Sequence, residues 1–72
     1  MVVPVSQIVL PHLRTWRLRA ALSQEDLAEL AGVARSTVIN AERGQSILPS
    51  TLRALAKALR LKPHELLGPP PT

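Results

Sequence analysis

The chain has 72 residues and a formal charge of +4, which bounds it to one small domain and favours an anionic partner. It holds no cysteine, so disulfides and thiolate metal sites are excluded; packing must supply the stability, with dimerisation as a supplement. Trp16 is the only aromatic residue, which argues against modules that stack single-stranded or RNA bases on exposed rings and leaves double-stranded DNA as the nucleic acid that fits.

The first ten residues are apolar and rich in β-branched side chains (Val2, Val3, Val5, Ile8, Val9). They read as a short strand or an extended arm, or else as a disordered terminus with one helical turn near Ser6, and in either case as lying outside the core pattern. The stretch lacks a positive n-region and is broken by Pro4, so it is a poor signal peptide. No apolar run approaches the roughly 20 residues of a membrane span. A cytoplasmic protein with no membrane partner is expected.

Pro11 suits a helix first turn, and Leu13, Trp16, Arg17 and Ala20 recur at helical spacing, predicting a first helix over about Pro11–Ala21. Ser23 is a good N-cap for a second helix with Glu25 and Asp26 in its first turn; Leu27, Ala28, Leu30 and Ala31 form its apolar side. Gly32 stops it, because glycine enters the left-handed conformation freely. A third helix over about Arg35–Arg43 buries Val38 and Ala41 and ends at Gly44. After a loop, a fourth helix spans about Ser50–Leu59, with Leu52, Leu55, Ala56 and Leu59 on its core face and Arg53, Lys57 and Arg60 on a solvated one. Pro63 opens a last short helix to Leu67, whose Leu66 and Leu67 close the core. Gly68–Thr72 cannot continue a helix and reads as an extended, proline-rich tail.

Two helices crossing steeply need small residues at their turn, here Ala28, Ala31 and Gly32. The second of the pair then presents its N-terminal residues outward, where base edges in a major groove are within reach. Arg35, Ser36, Thr37 and Asn40 lie on or near that face. Arginine suits a bidentate contact with guanine and asparagine one with adenine, while a hydroxyl serves a base or a phosphate.

On Arg17, LSQEDLA (Leu22–Ala28), AGVARSTV (Ala31–Val38), ERG (Glu42–Gly44) and LAKALRLKPHELL (Leu55–Leu67), the chain resembles the phage-repressor and Cro, or XRE, helix-turn-helix family. The resemblance implies an all-α, compact five-helix bundle of the lambda-repressor-like type over residues 11–67, flanked by an arm at 1–10 and a tail at 68–72. It implies base contacts from Arg35, Ser36, Thr37 and Asn40, and phosphate contacts from Gln24, Arg43, Gln45 and Ser46. It also implies a structural ion pair between Arg17 and Glu42, and a homodimer contact around helix five and the loop before it, with Pro63, Leu66 and Leu67. Leu48 joins that interface as an apolar residue at a position expected to be wet.

The chain departs from the family at several positions. Ala34 stands where a Ser or Thr usually caps the third helix, and Ala21 and Arg60 stand where glycine often ends one, so those turns are expected to be reshaped. Ile39, Ile47 and Leu48 are apolar where the pattern is wet, which raises a second dimer surface together with the arm.

The expected function is a sequence-specific regulator of transcription, a repressor or controller, acting as a homodimer on a near-palindromic operator. Double-stranded DNA, a second copy and a possible regulatory protein are the partners. The alternative is a protein-interaction module, antitoxin-like or coactivator-like, on the same fold. An enzyme is not expected: there is no nucleophile–base pair, carboxylate dyad or phosphate loop, and His12 and His64 are isolated. No metal or cofactor is expected.

Overall fold

The structure, a computed structural model, describes residues 8–71. Five helices follow in order: α1 (Leu13–Arg19), α2 (Gln24–Ala31), α3 (Arg35–Glu42), α4 (Pro49–Ala58) and α5 (Pro63–Leu66). No strand occurs among the described residues. α2 packs on both α3 and α4, α1 meets α3, and α5 closes onto α4. Leu13, Leu27, Val38, Leu55 and Leu66 are the fully enclosed side chains where these helices converge. They come from all five helices, so the core needs the whole set at once.

The helix starts use different chemistry. At α2 the Ser23 hydroxyl accepts from the Asp26 N–H (2.9 Å) and the Asp26 carboxylate accepts from the Ser23 N–H (3.1 Å), a reciprocal cap that satisfies two free donors. α4 and α5 begin on Pro49 and Pro63, whose missing N–H costs nothing at a first turn. α3 starts at Ala34 with no side-chain cap.

The ends of α1 to α4, by contrast, are uniform. After α1, the Leu22 N–H donates to the Arg17 carbonyl and the Ala21 N–H to that of Leu18. The same pair of bonds closes α2 (Val33 to Ala28, Gly32 to Glu29), α3 (Gln45 to Asn40, Gly44 to Ala41) and α4 (Leu61 to Ala56, Arg60 to Lys57). Each closure places one residue in the left-handed region: Ala21 (φ 58°), Gly32 (70°), Gly44 (92°) and Arg60 (59°). The expectation that the turns at Ala21 and Arg60 would be reshaped is therefore corrected. Leu22 and Leu61, which follow them, pack against the core and hold the turn despite the side chain on Cβ.

α1 is shorter than its periodicity predicted. Pro11 and His12 form a turn before it, because Leu10 is drawn into the core at 1% exposure. Leu10 is thus part of the core, against the expectation that the arm lies outside it. Ile8 forms an isolated antiparallel bridge with Ile47, whose N–H donates to the Ile8 carbonyl at 2.8 Å. Ile47, expected to be wet, is thereby buried at 7% exposure. The strand or helical turn expected earlier in the arm falls outside the described residues.

The tail also has a place. The Trp16 indole N–H donates to the Gly68 carbonyl (2.9 Å), and Arg19 donates to the Pro71 carbonyl (3.2 Å), so residues 68–71 lie along α1. Trp16 is half-buried at this seam, with its polar edge occupied.

Candidate nucleic-acid interface

α2 and α3, joined through the left-handed Gly32, form the helix–turn–helix unit. What fixes the angle of α3 is a polar lock at its C-terminal end. The Arg17 guanidinium, from α1, grips the Glu42 carboxylate with two bonds, Nε to Oε2 at 2.6 Å and Nη2 to Oε1 at 3.1 Å. Its Nη1 donates to the Leu22 carbonyl at 2.9 Å. The two side chains are 10% and 6% exposed. The hydrogen bond to Glu42 raises the Arg17 pKa above its ordinary value, outweighing the opposite effect of burial, so the guanidinium stays charged. Gln24, at the start of α2, adds a third donor to the same carboxylate (Nε2 to Oε1, 3.3 Å). One carboxylate thus ties α3 to both α1 and α2.

With Val38 and Ala41 buried and Glu42 locked, the opposite side of α3 is the one presented outward. At roughly 100° per residue, Ser36 and Asn40 lie along that side, and Arg35, Ile39 and Arg43 form a stripe beside it on the flank next to Glu42. Arg35, Ser36 and Arg43 are exposed, and Asn40 is half-buried. Thr37 is turned roughly 100° further round than Ser36. It is half-buried and lines a recess of about 220 Å³ with Asn40, Gln45, Ser46 and Thr51. The four expected base-reading residues therefore divide: Arg35 and Ser36 face out, while Thr37 and the half-buried Asn40 share the recess beside the loop before α4. Gln45 and Ser46 are exposed on that same loop.

On the other flank of α3 a cleft of about 430 Å³ opens between α1, α2 and α3. Arg14, Gln24, Ile39 and Arg43 line it above the Arg17–Glu42 pair. Arg14 was not singled out from the sequence. Its signal was its place one turn before Arg17 on the same side of α1. Ile39 is half-buried in this cleft.

The residues expected at a dimer contact also divide. Leu48 (53% exposed), Pro63 and Leu67 (44%) are on the surface, but Leu66 is at 0% exposure inside the protomer. Leu66 offers nothing to a second copy and is removed from that set, since the roughly 100° turn between neighbours at the end of α5 exposes Leu67 while Leu66 points inward.

A fold built around this locked helix pair belongs to a class of DNA-binding transcription regulators, and the comparisons agree: a helix-turn-helix family profile (HTH_3) matches residues 13–66. The chain belongs to this XRE-type family and has the expected lambda-repressor-like bundle; its relatives are regulators and not enzymes. The control protein C.SmaI of Serratia marcescens is 38% identical over 64 residues, which cover 88% of this chain and 76% of its own. The crystal structure of the restriction-modification controller protein C.AhdI from Aeromonas hydrophila is similar at a TM-score of 0.72 and 44% identity, over 75% of this chain and 83% of that one. SinR, a master regulator for biofilm formation solved in complex with DNA, matches at a TM-score of 0.72 and 29% identity, over 78% and 92% of the two chains. No described helix is long and apolar enough to cross a membrane.

Proposed function

We propose that this chain is a sequence-specific regulator of the controller type that inserts α3 into the major groove of double-stranded DNA. The observation that carries the reading is the lock on Glu42, which holds α3 in place while no side-chain hydrogen bond ties up Arg35, Ser36 or Asn40 among the described residues. Arg35 and Asn40 read base edges, and Ser36 a base or the adjoining phosphate. Thr37, on the α4 side, reaches the neighbouring backbone along with Gln45 and Ser46, while Gln24 and Arg43 contact phosphates on the other side.

The protein acts as a homodimer, placing two copies of α3 about 34 Å apart on successive half-sites of a near-palindrome. Leu48, Pro63 and Leu67 supply apolar surface for the subunit contact. The likeness to two control proteins, and to a regulator solved on DNA, supports this reading over the interaction-module alternative. Selection of bound sequences from a random duplex library tests it. A consensus with two-fold symmetry is the expected outcome; recovery of unrelated sequences at every salt concentration would remove the reading.

A further inference from the structure

We infer that Ile39 is a specificity-determining residue that reads the 5-methyl group of a thymine flanking the base contacted by Arg35. The inference rests on the reading of α3 as a major-groove helix. Ile39 is an apolar side chain on the flank of α3 next to Glu42, one turn after Arg35 and one turn before Arg43. It is half-buried in a cleft whose other walls carry Arg14, Gln24 and Arg43, all suited to a phosphodiester. The isoleucine therefore lies between the base-reading side chains and the groups that face the backbone. In the major groove thymine is the base that offers an apolar feature, its C5 methyl.

Two further points favour this role. A β-branched side chain in a helix has one strongly preferred χ1 rotamer, so Ile39 is held in place before DNA arrives and little freedom is lost on contact. A subunit contact through Ile39, the other use of an apolar residue here, is opposed by its surroundings. A two-fold interface centred on Ile39 would set the same patch of both copies face to face and crowd the Arg14 and Arg43 cations of the two copies together.

The test begins with library selection on the wild-type protein and on Ile39→Ala and Ile39→Val, each checked for an unchanged helical circular dichroism spectrum. Thymines in the selected half-site are then replaced one at a time by deoxyuridine, which removes the methyl and nothing else. One replacement is expected to weaken wild-type and Ile39→Val binding about fourfold, the weight of one apolar carbon, and to leave Ile39→Ala unaffected. The inference is overturned if each deoxyuridine has the same effect on wild type and Ile39→Ala, or if the half-site holds no thymine beside the position governed by Arg35. A selection that enriches no sequence at all would instead remove the DNA reading on which the inference stands.

Discussion

Single side chains carry unequal weight in this chain, and Glu42 carries the most. It is the shared acceptor of Arg17 and Gln24, and its removal strands an arginine that is 10% exposed. Glu42→Ala is expected to destabilise the fold by about 3–5 kcal/mol in chemical denaturation. Glu42→Gln, which keeps an acceptor, is expected to cost less. Arg35, exposed and with no side-chain partner among the described residues, contributes nothing comparable to folding. Arg35→Ala is expected to leave the melting temperature unchanged and to weaken binding to a selected operator by about 1–3 kcal/mol, with relaxed preference at one base pair. A loss that is equal on all sequences would reassign Arg35 to the phosphate backbone. Ala21 and Arg60 sit at φ 58° and 59°, where a Cβ costs about 1–2 kcal/mol and glycine's extra freedom in the unfolded chain returns part of the difference. Ala21→Gly and Arg60→Gly are each expected to stabilise by roughly 0.5–1 kcal/mol.

Among the helices, α2 and α3 differ at their starts. α3 begins at Ala34 in an extended conformation that a Ser or Thr would also adopt, with no side-chain acceptor offered to its first N–H groups. Ala34→Ser is expected to add about 1 kcal/mol, read as a higher urea midpoint with the same slope. At α2 the Ser23 N–H and hydroxyl hold the Asp26 carboxyl below the usual carboxylate range. A depressed folded-state pKa gives stability that is present above the unfolded value, about 3.9, and lost as pH falls through the folded one. The wild-type melting temperature is therefore expected to drop in this acid window. Asp26→Asn is expected to flatten that part of the profile while lowering stability at neutral pH. The elements themselves were largely legible in the sequence, because stop signals such as Gly32 and Gly44 and the proline start at Pro63 act locally. Helix ends without a glycine were not: Ala21 and Arg60 are left-handed because Leu22 and Leu61 must reach the core, a demand set by tertiary packing.

At the scale of the whole molecule, the lock between α1 and α3 was legible because the resemblance names both partners, whereas contacts between distant segments were not. Leu10 and Ile47 were read as outside the core. Their burial depends on a bridge between residues 8 and 47 that no local pattern announces. The recess and cleft on either side of α3 likewise draw on separate helices, so the separation of Thr37 from Arg35, and the arrival of Arg14 beside Gln24, appear only in three dimensions. For the proposed dimer, Leu48→Glu combined with Leu67→Glu is expected to halve the solution mass measured by light scattering while leaving helical content intact. An unchanged mass would move the subunit contact elsewhere.

Trp16 has one more consequence. The chain contains no tyrosine and no phenylalanine, so its near-ultraviolet absorption and emission come from a single indole. That indole is tethered to Gly68 at the seam with the C-terminal segment. Fluorescence therefore reports whether the C-terminal segment is seated, while circular dichroism reports the five helices. Matching midpoints for the two signals in a denaturant titration would mean that the seam and the reading head melt as one cooperative unit. An earlier fluorescence transition would identify the tail as a piece that detaches while the DNA-reading unit stays folded.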